Sequence, residues 1–389
     1  MDNGDFGDGN VHPPTSSRRV AISIFRYFPH GGLQRDMMSI ATELVKRGIE
    51  VTVFCISWES AERPAGLRVR KVPCRGWTNH GKVLSFSQNL KKLLRDGKFD
   101  IHLAFNKIHG ADWYFAGDLP YAGRSDNLAF WKKLLPRHRI LTALEREVFS
   151  TGSKTKIFYL TDTQKESIQN IYKTQEERMF PLPPGINQMY KGAIEKRGER
   201  REALREKLGV SDDEIMLILV SSAFHTKGVD RAIAALASLP EDERNRSKLF
   251  IAGKGDPAKM IKFASRCGVE ENVTFLGARD DIPELLAASD LMVHPARNEA
   301  AGSVLLEAIA CGTPVICSGN CGFAPLVEEA GGAAVVVPFR QKVLNRTLMV
   351  TLSAPGRLEE MQRETESYAG GADFYCRSER AADLIEEYK

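Results

Sequence analysis

No run of apolar residues in this 389-residue chain approaches the roughly 20 that a membrane-spanning helix requires, so no such helix is expected. The nearest candidate, around residues 215–220, has the length of a core strand. The first eighteen residues, MDNGDFGDGNVHPPTSSR, lack both a basic start and an apolar stretch, and are expected to form a disordered tail, not a signal peptide. Cysteine is sparse. The seven cysteines are odd in number and contain no CxxC pair, which argues for reduced thiols in the cytosol over disulfides or zinc. Cys311, Cys317 and Cys321 fall close together, as small core residues do. A strong charge bias is missing too: the formal net charge is +4, too small by itself to imply nucleic-acid binding, and no zinc-finger or RNP pattern accompanies it.

Several catalytic signatures are also lacking. There is no His-Glu-x-x-His, no close Cys/His group and no Asp-x-Asp following a strand, so neither a metal nor another cofactor is expected. Asp280 and Asp281 are adjacent and read as a helix cap before Ile282. No Gly-x-Ser-x-Gly elbow suggests hydrolase chemistry. The glycine pair at Gly31-Gly32 is not a dinucleotide fingerprint, because the spacing is wrong and the second strand runs into Cys55, Ile56 and Ser57 instead of an acid.

What is present is an alternation of short apolar strands with amphipathic helices, over a length that accommodates two domains. Strands are predicted at 20–25, 51–56, 101–105 and 157–161 in the first half. In the second half they are predicted at 215–220, 249–252, 273–276, 291–294, 314–317 and 334–337. The fold class is therefore α/β, with two doubly wound parallel sheets. The first domain is expected over 19–186 and the second over 187–371, with a polar linker at 187–201 after Pro183-Pro184-Gly185. Residues 372–389 read as an amphipathic helix.

The most informative stretch is HPARNEAAGSVLLEAIACGTPV, in which Glu299 and Glu307 bracket a small-residue turn between a strand and a helix. A helix N-terminus presents unpaired N–H groups and a positive dipole end, and Ala300, Ala301, Gly302 and Ser303 leave it unobstructed up to Val304 and Leu305. A phosphate fits there, and two acids beside it call for neutral hydroxyl partners. A diphosphate flanked by polyols describes a nucleotide-sugar. Taken alone, such a pair of glutamates reads better as a solvated loop residue, Glu299, and a surface helix residue, Glu307. Gly31 and Gly32 allow close backbone approach in the first domain, or simply make a tight turn. Lys227, at a strand end in SAFHTKGVD, can place a point charge on a leaving diphosphate, with Arg279 the next cation available. Asp36, Lys107, His109 and Asp112 are the candidate acceptor contacts, the last three following a strand on the edge where such folds bind ligands.

Residues 127–139, NLAFWKKLLPRHR, combine aromatic and leucine side chains with Lys132, Lys133, Arg137 and Arg139, and no acid lies between Asp126 and Glu145. Such a segment suits an anionic bilayer surface, and equally an ordinary surface helix with a buried apolar face.

The strings YFPHGGLQRDMM, TNHGK, FNKIHGADWYFA, LPPGI, KGVDRAIAALASLP and HPARNEAAGSVLLEAIACGTPV together resemble the retaining GT-B glycosyltransferases of family 4. They are most similar to the lipopolysaccharide core glucosyltransferase I subfamily, over about residues 20–386. The resemblance implies two Rossmann-like domains facing across a cleft, with the C-terminal helix packed back on the first. It implies transfer of glucose from UDP-glucose, with retention and without metal, onto a heptose of the lipopolysaccharide inner core. The expected place is peripheral, on the inner face of the cytoplasmic membrane. In the family's pattern Lys227 and the helix start at Gly302 to Leu305 hold the diphosphate, Glu307 the ribose and Glu299 the transferred sugar, with Gly31 and Gly32 closing over it. Thr226 stands where the family usually has arginine and His109 where the subfamily prefers proline, so the sugar and the acceptor position stay open. Another family 4 transferase of cell-surface polysaccharide or glycolipid, a sugar-nucleotide epimerase and a non-catalytic sugar-nucleotide-binding protein are the alternatives.

Overall fold

The computed structural model describes residues 18–29, 31–60, 64–125, 130–335 and 337–387. Residues 1–17 of the expected tail and residues 127–129 of the basic segment lie outside them. The strands are β1 Arg19–Ser23, β2 Arg26–Tyr27, β3 Glu50–Cys55, β4 Ser57–Trp58, β5 Leu67–Lys71, β6 Ile101–Ala104, β7 Trp113–Phe115, β8 Lys156–Tyr159 and β9 Met179–Pro181. They continue with β10 Ile215–Val220, β11 Ser247–Ala252, β12 Val273–Gly277, β13 Leu291–His294, β14 Val315–Ser318 and β15 Ala333–Val335.

Central strands such as β10, IMLILV, are apolar along their whole length because helices cover both faces of a parallel sheet. Two sheets result. The first has the order β5-β3-β1-β6-β7-β8-β9 and the second β12-β11-β10-β13-β14-β15. All their pairings are parallel, Val20 lying opposite Val51 in the first and Ile218 opposite Phe250 in the second. Strand order reverses beside β1 and beside β10, and at each reversal the outgoing loops diverge to leave a crevice at the carboxyl edge. β2 and β4 form a separate ribbon, closed by stacking of Tyr27 on Trp58 at 3.9 Å.

The polar stretch expected as a linker is folded instead. Tyr190 is buried, and the helix Arg197–Leu208 lies against the second domain. Its cations are structural: Arg197 donates to Cys311 O at 2.9 Å, while Arg201 and Arg205 pair with Asp290 at 2.5 and 3.0 Å. The chain then returns across the cleft, and its last helix, Arg377–Glu387, packs on the helix Gly32–Lys46 of the first domain. Ala381 and Ile385 are buried there; Arg47 reaches Asp383 at 2.7 Å and Glu386 at 2.6 Å. Among the described residues, no helix is long and apolar enough to cross a membrane.

Candidate active site

The carboxyl edges of the two sheets face each other across a cavity of about 580 Å³, within the range of small-molecule sites. The second domain contributes most of its chemistry. β13 ends at His294, which is fully buried, and the loop that follows carries Glu299 to Gly302. Gly302 has φ +97° and caps the helix Ser303–Ala310; a Cβ there would lie 3.0 Å from Glu299 Cγ and 3.1 Å from Leu305 Cδ1. Glycine is therefore what lets the carboxylate and the helix start share one corner. Ala301, Gly302, Ser303 and Val304 line the cavity. Leu305 does not: it is fully buried and its N–H donates to Gly302 O at 2.9 Å.

Glu299 is joined to two partners from the same domain. Lys227 Nζ donates to its carboxylate, and His294 Nε2 lies 3.3 Å from the same oxygen. Burial alone would raise the Glu299 carboxyl, but the His294 hydrogen bond and the Lys227 charge outweigh it and hold the pKa at about 2. Lys227 reaches this point because the short helix Phe224–Lys227 ends at Gly228, φ +76°, where a Cβ would lie 2.1 Å from Pro295 O. Arg297 fastens the same two loops, donating to His225 O at 2.7 Å and to Asp230 at 2.7 and 2.6 Å.

Glu307 is 3% exposed. Its oxygens take Arg35 Nη2 from the first domain at 2.8 Å and the Tyr190 hydroxyl at 2.8 Å, so an ion pair spans the cleft. Arg279 lines the cavity and binds Asp281 through two bonds of 2.7 and 2.5 Å. Asp281 therefore does not cap the following helix through its side chain, as its position suggested; the nearby guanidinium is the stronger partner. Gly31 and Gly32 line the opposite wall. A Cβ on Gly31 would meet Gln34 Oε1 at 2.0 Å, whereas Gly32 faces open space.

The four acceptor candidates are not brought together. Asp36 pairs with Arg377 of the last helix at 2.9 Å. Lys107 binds Asp118 at 2.8 Å and Glu145 at 3.1 Å, His109 binds Ser87 at 2.8 Å, and Asp112 accepts from His102 N at 2.8 Å. Of the four, only Asp36 borders the cavity. Sequence reasoning missed His294, Arg35, Tyr190 and Lys254 as cleft residues. The strand-terminal position of His294 and the Gly253-Lys254-Gly255 turn after β11 were the available signals.

The chain matches two family descriptions, Glycosyltransferase Family 4 over residues 30–188 and Glycosyl transferases group 1 over residues 200–369. It is 40% identical over 370 residues to the lipopolysaccharide glucosyltransferase WaaG of Escherichia coli (strain K12), covering 94% of this chain and 98% of that protein. The chain belongs to glycosyltransferase family 4. This transferase superposes on the crystal structure of WaaG, described as a glycosyltransferase involved in lipopolysaccharide biosynthesis, with a TM-score of 0.90. That match is 40% identical and covers 95% of this chain and 100% of the other. The Anabaena protein HepE in complex with UDP-glucose shares the fold, with a TM-score of 0.72 at 17% identity, covering 95% and 99% of the two chains. A D-inositol 3-phosphate glycosyltransferase of Actinosynnema mirum is 25% identical over 375 residues, 88% of each protein. The GT-B architecture expected from the sequence is the one the transferase has.

Proposed function

We propose that this transferase moves a hexose, glucose before others, from a UDP-sugar onto a heptose of the lipopolysaccharide inner core, with retention at the anomeric carbon. What carries the reading is the 40% identity to the Escherichia coli lipopolysaccharide glucosyltransferase over nearly the whole of both chains. The site's chemistry agrees with it. A diphosphate entering the cleft meets Lys227 and the dipole of the Ser303–Ala310 helix, and splits the Lys227–Glu299 pair as it does so. The freed Glu299 carboxylate, still held by His294, is then available to hydroxyls of the transferred sugar. Glu307 has lone pairs left for the ribose beyond those used by Arg35 and Tyr190.

In this reading the acceptor oxygen bonds to the anomeric carbon on the face from which the diphosphate departs. The acceptor proton passes to a diphosphate oxygen, so UDP leaves carrying it. Lys227 stabilises the charge that grows on the leaving group, and no metal is required. The membrane contact also remains part of the proposal. Trp131, Leu134 and Leu135 are 62%, 60% and 47% exposed, and Arg137 and Arg139 are exposed beside them. The helix Pro136–Phe149 buries Leu144, Val148 and Phe149 instead, so the apolar tip is not its packing face.

The decisive assay follows labelled sugar from UDP-glucose to truncated core oligosaccharides ending in heptose. Transfer with retained configuration is expected. Conversion of UDP-sugar without any acceptor would mean an epimerase, and tight UDP-glucose binding with no transfer to any core acceptor would mean a non-catalytic binder.

A further inference from the structure

The chain contains a second acid-free stretch. Between Glu62 and Asp96 there is no aspartate or glutamate, while Arg68, Arg70, Lys71, Arg75, Lys82 and Lys91 are among the cations within it. At its centre lies Trp77, which is fully exposed, so nothing in the fold uses its indole. The backbone around it is nonetheless closely fixed. Arg75 N donates to Ser85 Oγ at 2.9 Å, Asn89 Nδ2 to Pro73 O at 2.7 Å, and Gly81 N to the Thr78 hydroxyl at 3.1 Å. Gly76, φ +138°, lies so close to the start of the helix Asn79–Gly97 that a Cβ would come within 3.0 Å of Gly81 and Lys82 backbone atoms. A loop held on both sides, presenting a bare tryptophan between Arg75 and Lys82, has the character of an anchor.

Its position decides for what. The helices Asn79–Gly97 and Pro136–Phe149 are both crossovers of the first sheet and pack against each other on one face, so each begins at the carboxyl edge. His109 joins them, bonded to Ser87 of the first and 3.7 Å from Glu147 of the second. The Asn79–Gly97 helix meets the end of β1 at Phe86, whose ring packs edge-on against Phe25 at 5.4 Å. On the other helix Glu145 accepts from Tyr121 N, in the connection that follows β7. Trp77 and the Trp131 to Leu135 tip therefore both lie at the carboxyl edge of the first sheet, each just before one of two helices that pack together.

We propose that the loop from Pro73 to Gly81, with Trp77 at its tip, is a second point of contact with an anionic lipid bilayer, at the same sheet edge as the tip at residues 131–139. Trp77 inserts at the headgroup boundary while Lys71, Arg75 and Lys82 face the lipid phosphates. The two acid-free segments thus form one basic, aromatic-tipped rim, on a chain whose formal charge as a whole is only +4. Trp77 borders neither the donor cleft nor the cavity beside the last helix, which sets it apart from the sugar site. This inference rests on the bilayer contact of residues 127–139 proposed above, and gives that contact its orientation.

The test uses the four tryptophans of the full-length protein, of which Trp58 and Trp113 are buried and Trp77 and Trp131 exposed. In Trp131→Phe, acrylamide quenching reports chiefly on Trp77, and in Trp77→Phe chiefly on Trp131. Vesicles of phosphatidylcholine with phosphatidylglycerol are expected to shield both variants from the quencher, and pure phosphatidylcholine vesicles neither. Arg75→Gln and Lys82→Gln should each weaken partition into the anionic vesicles about fivefold. Shielding of Trp131 with Trp77 still fully quenched would overturn the second contact and leave the first standing. If the parent does not bind anionic vesicles at all, both contacts fall. Shielding of Trp77 by a soluble core oligosaccharide, but not by vesicles, would make the loop an acceptor surface instead.

Discussion

Glu299 and Glu307 are both buried acids of the donor cleft, yet their partners make them differ in kind. Glu307 is braced by Arg35 and Tyr190, so Glu307→Ala should weaken UDP itself by on the order of 1.5 to 3 kcal/mol, read by calorimetry. Glu299→Ala should bind UDP normally and lose turnover of the UDP-sugar; equal behaviour of the two variants would overturn the assignment of ribose and hexose. Lys227→Ala removes a cation aimed at growing charge, and a fall in turnover of about 100- to 1000-fold is expected, well beyond the loss of stability from parting the Lys227–Glu299 pair. For Glu299 the sign of the pH effect follows from its lowered pKa. Its stabilisation is complete above the ordinary value of 4.5 and fades as pH drops toward about 2, amounting to about 3 kcal/mol. Urea unfolding of the parent and Glu299→Gln should therefore differ most near neutrality, with the gap narrowing from about pH 4.5 and closing only as pH nears 2; a constant gap would point away from the ionised pair. The glutamates, Lys227 and the glycine pair were legible in the sequence because each sits at a fixed offset from a strand end. Arg35 was not, since its partner Glu307 is supplied by the other domain, and Tyr190 was not, since it reaches the same carboxylate from 117 residues away.

At the level of elements, buried central strands announce themselves. β10 and β13 coincide with the apolar runs at 215–220 and 291–294, because a strand covered on both faces has no polar alternation to disguise it. β5, RVRK after its first leucine, was missed since it lies at a sheet edge with Arg68 and Arg70 turned to water. β7 and β9 are three residues each, too short to show any period. The segment taken for a linker misled for another reason: its arginines look solvated, yet they serve carbonyls and an aspartate inside the second domain. Turns carry as much of the site as strands do. Gly228→Ala sets a methyl against Pro295 O in a left-handed conformation, so the turn holding Lys227 must move away from the loop holding Glu299. We expect a stability loss of about 1–3 kcal/mol in denaturant unfolding, with turnover reduced further than folding requires.

Across the whole molecule, the last helix is the most exposed to test. Ending the chain after Ala372 removes the Arg377–Asp36 pair, both Arg47 contacts and the buried Ala381, Leu384 and Ile385. The first domain is expected to melt earlier than the second in scanning calorimetry, with one transition expected of the parent. A truncated protein that still unfolds in a single step at the parental temperature would show the helix to be dispensable. The path of that helix also bears on motion. The backbone passes between the domains twice, once near Gly185 to Tyr190 and once near Ala372 to Arg377, and the two passages lie side by side, Ile186 N donating to Phe374 O at 2.9 Å. A body tethered at one point can swivel in any direction, whereas paired tethers act as a door hinge. Any opening of the cleft is thus limited to a swing about a single line, which would keep the wall bearing Gly31 and Gly32 in one register with the wall bearing Ser303.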